Sequence, residues 1–155
     1  MNIQDVRADK KLQEEIKADE GFRSHPYKDT SGFWSGGWGH NLEAHGCSRA
    51  EISSWFKTGI PEGLAKEWFS EDLDAAITCC GQIFEGFDAL PDEAQRVLVN
   101  MAFDLMYELW DWTQLQSDVA GLNWNGAARA ILQSRFAVQA PRRAARFAAR
   151  MQAIV

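Results

Sequence analysis

Asp29-Thr30-Ser31-Gly32-Phe33-Trp34-Ser35-Gly36-Gly37-Trp38-Gly39-His40 is the stretch on which the fold turns. Its aromatic residues stand between glycines, and Asp29-Thr30-Ser31-Gly32 has the polar, glycine-ended chemistry of a tight turn. With Phe22 and Tyr27 before it and Gly46 after it, the pattern predicts short antiparallel strands over residues 22–46. On either side the period becomes helical. Upstream, Leu12, Ile16 and Glu20 fall four apart on one face of a helix over residues 2–20, and Gly21 stands where a left-handed cap is wanted. Downstream, Ser48 opens a short helix through Trp55 and Phe56. Pro61 then suits the first position of a longer helix reaching Cys80, with Leu64, Trp68, Leu73 and Ile77 as its apolar positions and Gly81 and Gly86 as punctuation. Leu90-Pro91-Asp92-Glu93 leads into a helix from Val97 to Met106 that is apolar all round, which predicts a buried central element. Further helices are expected over residues 112–120, 124–133 and 141–153.

The fold class that follows is α+β, with a small lobe built on an antiparallel sheet and a larger all-helical lobe joined by a long helix. Residues 1–155 are read as one domain: 13–65 the small α/β lobe, 1–12 and 80–155 the helical lobe, and 61–80 the connecting helix. A cleft between two such lobes is a favoured ligand site.

Composition narrows the function classes. The chain has 155 residues, 46% of them hydrophobic and 25% charged, which excludes disordered and fibrous proteins. A chain of this size buries about 70% of its unfolded surface, so no disulfide or structural metal is required. The longest uncharged stretch, Thr30 to Leu42, is broken by glycines and serines and falls short of the ~20 apolar residues of a membrane span. No stable membrane insertion is expected. Asp5, Asp9, Glu14 and Glu15 replace the apolar run of a secretory signal, so synthesis in the cytoplasm is expected. Cys47, Cys79 and Cys80 are an odd set with one adjacent pair, which reads as reduced thiols. Net charge is −6, yet residues 123–155 hold six arginines and no acid. That basic end suits an anionic polymer or the protein's own acidic part. Nucleic acid is not expected, because the rest of the chain repels phosphate and no nucleic-acid motif is present.

Glu20 is the first candidate for chemistry. It ends a helix where the macrodipole disfavours negative charge, follows Asp19, and lies in line with Leu12 and Ile16. All three effects favour a protonated carboxyl, which is what a general acid requires. Asp29 lies in a wet turn instead, and two carboxyls in contrasting settings are the pattern that separates acid from base in glycoside hydrolysis. Ser35 lacks the glycine two positions earlier that a nucleophile elbow needs, since Phe33 stands there, so its hydroxyl is read as one that positions water. His40, His45 and Cys47 match no zinc framework. No metal and no cofactor are expected, and His40 is read as structural, bonded to an acid such as Asp72. Seven tryptophans are read mainly as core, although Trp110 and Trp112, two apart, cannot share one helix face.

Asp19-Glu20-Gly21-Phe22, Tyr27-Lys28-Asp29-Thr30, Gly32-Phe33, Ser35 and Gly37-Trp38-Gly39-His40 together resemble the catalytic stretch of the phage-type lysozymes, glycoside hydrolase family 24, and particularly its T-even type. The likeness continues through Ile60 to Ala76, with Ala65, Phe69, Asp72 and Asp74, which is similar to that family's interdomain helix. Asn100-Met101-Ala102-Phe103 resembles its buried central helix. Ser134-Arg135-Phe136 and Gln139-Ala140-Pro141-Arg142-Arg143-Ala144-Ala145-Arg146 resemble its C-terminal segment.

The resemblance implies hydrolysis of the β-1,4 bond between N-acetylmuramic acid and N-acetylglucosamine in peptidoglycan. Glu20 would be the general acid, Asp29 would stabilise the oxocarbenium-like transition state and hold the attacking water, and Ser35, where the family usually has threonine, would bind that water. Phe33, Gly39, Phe103 and Asp104 would line the substrate cleft, His40 would pair with Asp72, and Arg143 would reach toward Glu20. An inverting enzyme leaves roughly 6.5 to 9.5 Å between its carboxyls for the water. The partner implied is the peptidoglycan glycan strand, met by a monomer that is made in a bacterial host's cytoplasm and passes a holin to act in the periplasm. Asp104 stands where the family tends to have asparagine or glutamine and Met106 where it tends to have glycine; Asp104, the acidic body and the extra tryptophans motivate the alternative of a catalytically weakened lysozyme-fold binding or scaffold module.

Overall fold

The computed structural model describes residues 1–155 and divides into two compact units, Gln13–Leu73 and a second made of Met1–Leu12 with Asp74–Val155. The class is α+β, as the periodicity indicates: a three-stranded antiparallel sheet near the N-terminus and a mainly helical remainder. In chain order the elements are α1 (Ile3–Ala8), α2 (Lys10–Glu20), β1 (Arg23–Lys28), β2 (Trp34–Gly37), β3 (His40–Asn41), α3 (Arg49–Thr58), α4 (Glu62–Ile83), α5 (Asp92–Leu105), α6 (Thr113–Ala120), α7 (Trp124–Leu132), α8 (Arg135–Gln139) and α9 (Pro141–Gln152).

In the unit Gln13–Leu73 the sheet order is β1-β2-β3. Tyr27 faces Ser35, Lys28 faces Trp34, and the β1 register slips between Arg23 and Tyr27. Pro26, which has no N–H for the ladder, falls in that slip and on an edge strand, where proline is tolerated. Leu42, Ile52, Trp55, Ile60, Ala65 and Trp68 form the buried cluster under the sheet, joined by Trp34, Trp38 and Leu64. Gly36 permits this packing, because a Cβ there would overlap Ile60 Cδ1. Ser48 and Glu51 cap α3 reciprocally, side chain to backbone in both directions.

In the other unit α5 buries Ala94, Val97, Leu98, Val99, Met101 and Ala102, the all-round burial its composition predicts. α9 buries Ala144, Phe147, Ala148 and Met151 at helical spacing, exposes Arg142 and Arg146, and keeps Arg143 and Arg150 partly buried. Two of those arginines meet α5: Arg150 Nε lies 2.6 Å from Glu93 Oε1, and Arg143 Nη1 lies 3.5 Å from Asp104 Oδ2. Part of the basic end is thus set against the protein's own acids. Cys47, Cys79 and Cys80 are free thiols, and burial pushes Cys80 well up. No helix is long and apolar enough to cross a membrane.

Four local readings differ from the structure. The helix expected over residues 2–20 is broken at Asp9, whose Oδ1 accepts the N–H groups of Lys11 and Leu12 and whose Oδ2 accepts from Arg96 Nε at 2.7 Å. A side chain that caps a new helix start competes with helix continuation. α4 runs through Gly81 to Ile83, and the left-handed residue that follows it is Gly86, at φ +68°. The buried central helix ends at Leu105 because Met106 adopts φ +45°, and a 3₁₀ stretch follows over Met106–Asp111. The five-residue α8 carries too few turns to give a periodic signal.

Candidate active site

Glu20 is the last residue of α2, half-buried, and the chain turns sharply behind it: Gly21 sits at φ +68° and donates its N–H to Lys17 O at 2.9 Å. The carboxyl rests against the turn between β2 and β3. There Gly39 has φ +67°, and a Cβ on it would stand 2.8 Å from Glu20 Oε2. Glycine serves two needs here, a left-handed backbone and room for a carboxyl. The same turn is anchored by Trp38, whose ring lies 4.8 Å from Phe22 and 5.6 Å from Phe69. Lys17 Nζ stands 4.7 Å from the Trp38 ring and 4.8 Å from the Phe69 ring.

Asp29 follows β1 and organises the loop to β2. Its Oδ1 accepts the N–H groups of Ser31 and Phe33, both at 2.9 Å, and its own N–H donates to Phe33 O at 2.8 Å. Those bonds orient the carboxylate so that Oδ2 is turned to the Ser35 hydroxyl, which donates across 3.5 Å. Ser35 is buried in the central strand β2, facing Tyr27 on one side and Asn41 on the other. Phe33, by contrast, is 48% exposed at the loop tip.

Tyr27 is a member of this group that residue-by-residue sequence reasoning passed over. Burial pushes its phenol above the ordinary value, Glu20 adds to the rise, Arg23 opposes it, and Asp29 adds again. The phenol therefore lies within electrostatic reach of both carboxyls. The Arg23 guanidinium carbon stands 4.5 Å over its ring. The signal available in sequence was position alone: Tyr27 is two residues before Asp29, the same-face spacing of a strand.

His40 lies in β3 with its Nδ1 2.7 Å from Asp72 Oδ2 on α4. Its ring is stacked on Trp68 at 4.5 Å and on His45 at 4.0 Å. Of the residues singled out in the sequence, Glu20, Asp29, Ser35, Phe33, Gly39, His40 and Asp72 all belong to the unit Gln13–Leu73. Phe103, Asp104 and Arg143 belong to the other unit, where Asp104 and Arg143 form the ion pair already described. The side chains gathered in the first unit suit acid-assisted hydrolysis: a half-buried carboxyl at a helix C-terminus, a second carboxylate fixed by backbone N–H groups, and a buried hydroxyl beside it.

A 61-residue segment is 34% identical to part of the DNA mismatch repair protein MutL of Shewanella halifaxensis (strain HAW-EB4), covering 39% of this chain and 10% of that protein. The chain spans about a tenth of the length of that curated relative. The phage lysozyme family model matches residues 17–146, a span that begins before Glu20, ends beyond Arg143 and takes in every candidate residue named above. With a match over most of its length, the chain belongs to the phage lysozyme family, a family of peptidoglycan-hydrolysing glycoside hydrolases (EC 3.2.1.17).

Proposed function

We propose that the protein hydrolyses the β-1,4 bond between N-acetylmuramic acid and N-acetylglucosamine with inversion, and that it does so as an endolysin. Glu20 protonates the leaving glycosidic oxygen. Asp29, with Oδ1 committed to two backbone N–H groups, directs Oδ2 toward the attacking water and the developing positive charge, and Ser35 holds that water. Phe33, Gly39, Phe103 and Asp104 contact the glycan, while His40, Asp72 and Arg143 support the site. The observation that carries the reading is the 3.5 Å contact between the Ser35 hydroxyl and the Asp29 oxygen left over by the loop, in the same unit as Glu20 packed on Gly39.

On this reading residues 1–155 work as one monomeric domain, with 61–80 as its connecting helix. The protein is made in the cytoplasm of a phage- or prophage-bearing host and reaches the wall from the periplasm through a holin. The alternative of a weakened binding module rests on the acidic body, the extra tryptophans and Asp104; of these, the charge of Asp104 is offset by Arg143 at 3.5 Å, which favours the enzyme. The segment shared with MutL spans too little of that protein to support a nucleic-acid substrate. The stereochemistry provides the test. Proton NMR of the first turnover on purified glycan strands is expected to show α-configured reducing ends, and an initial β product would overturn inversion.

A further inference from the structure

We infer that His40, His45 and Asp72 form a binding site for a divalent transition-metal ion of zinc's class, an inference that shares His40 and Asp72 with the hydrolytic reading but does not depend on it. The three ligand atoms all lie within 4.8 Å of one another. His45 Nδ1 is 2.8 Å from Asn41 O, and because a carbonyl only accepts, Nδ1 must be the N–H. In the neutral ring that leaves the lone pair on Nε2, which lies 3.7 Å from Asp72 Oδ1. A lone pair and a carboxylate oxygen facing each other attract a cation. Two ligands at about 2.0–2.1 Å from a tetrahedral zinc stand about 3.4 Å apart, close to the separation found.

The surroundings have the character of a metal site's supporting shell. An Nδ1–H bonded to a backbone carbonyl is the usual orienting partner of a metal-bound imidazole, and His45 has it already. His40 is fixed by its stack on Trp68, with rings 7° from parallel, and its Nδ1 hydrogen-bonds the second oxygen of Asp72 at 2.7 Å, closer than two tetrahedral ligands stand, so this bond opens when the ion enters. His45 is 47% exposed, which supplies an entry path and freedom to close on the ion. Two imidazoles and one carboxylate select zinc, nickel or copper over magnesium or calcium. Coordination through His40 Nδ1 displaces the proton directed at Asp72 and places the ring proton on Nε2, a buried atom with no hydrogen-bond partner in the protein. That cost sets the site at moderate affinity. Sequence spacing could not show it, because His40 and Asp72 are 32 residues apart and Cys47, the sulfur nearest in sequence, is not in the cluster.

The test is calorimetric titration of the whole, chelator-stripped chain with zinc chloride, alongside thermal melting. We expect one saturable ion per chain, and at about 100 times Kd a rise in Tm of about 5–10 °C. His45→Gln, at an exposed position, is expected to weaken binding at least tenfold; Cys47→Ser is expected to leave it unchanged, and magnesium to have no effect. Cobalt(II) should give a visible d–d spectrum in the wild type that His45→Gln lacks. Absence of saturable zinc binding, equal binding by His45→Gln, or loss of binding in Cys47→Ser would overturn the assignment.

Discussion

Replacing Gly39 with alanine adds one methyl group at the point where the backbone touches the proposed acid. The new Cβ would stand 2.8 Å from Glu20 Oε2, whereas ordinary van der Waals contact begins near 3.4 Å, so the carboxyl oxygen must retreat by a few tenths of an ångström, about 0.6 Å. Because the oxygen ends a flexible side chain, the steric cost in stability is small; the cost falls on where the proton is delivered. A misplacement of 1 Å costs about 10²-fold in rate, so this shift is expected to lower turnover about tenfold. Alanine at φ +67° also destabilises the fold by roughly 1–2 kcal/mol. Gly86→Ala separates the two effects, since Gly86 has φ +68° and nothing within 4 Å of a Cβ. Urea unfolding should show similar losses in both variants, and release of soluble fragments from purified peptidoglycan should fall only in Gly39→Ala. Wild-type turnover in folded Gly39→Ala, or an equal loss in Gly86→Ala, would refute the idea that Gly39 sets the position of Glu20.

Ser35→Ala removes the hydroxyl turned to Asp29 and is expected to lower turnover about 10- to 100-fold through loss of water positioning. Its stability should change by less than about 1 kcal/mol, because a 3.5 Å contact is at the outer limit of a hydrogen bond. For Glu93, burial works to raise the pKa, but the hydrogen bond and charge of Arg150, with Lys11 and Arg96, bring it down to about 2 from 4.5. Its contribution is therefore complete above pH 4.5 and lost as pH falls through 2. Glu93→Gln should cost about 1–3 kcal/mol in urea unfolding at pH 7, and the difference from wild type should close on acidification.

What the sequence made legible follows the range of the interactions. α5 could be read from composition because its middle, Val97 to Ala102, is buried all round, and the strands could be read because glycine and aromatic residues alternate between turn signals. Asp9 breaks the first helix through a bond to Arg96, 87 residues away, and no local pattern carries that. The proposed site divides the same way. Glu20, Asp29 and Ser35 sit in one short segment whose turn chemistry and helix end can be argued locally. Tyr27 gains its electrostatic place near Glu20 only once the chain has turned at Gly21, and His45 meets Asp72 only once α4 packs in the same unit as the sheet. Asp104 shows the opposite error: alone it reads as an added negative charge, and its compensation by Arg143 depends on α9 lying against α5.

On the proposed reading this chain cleaves peptidoglycan with Glu20 as the acid. The most direct measurement is muropeptide release from purified Gram-negative peptidoglycan by wild type and Glu20→Gln, with the new reducing ends identified and folding of both proteins checked by circular dichroism. Wild-type protein is expected to generate muramic-acid reducing ends, and Glu20→Gln to lose at least about 10²-fold in turnover while remaining folded. Equal release by the two proteins would contradict the role of Glu20, and no release by folded wild type would contradict the hydrolase itself.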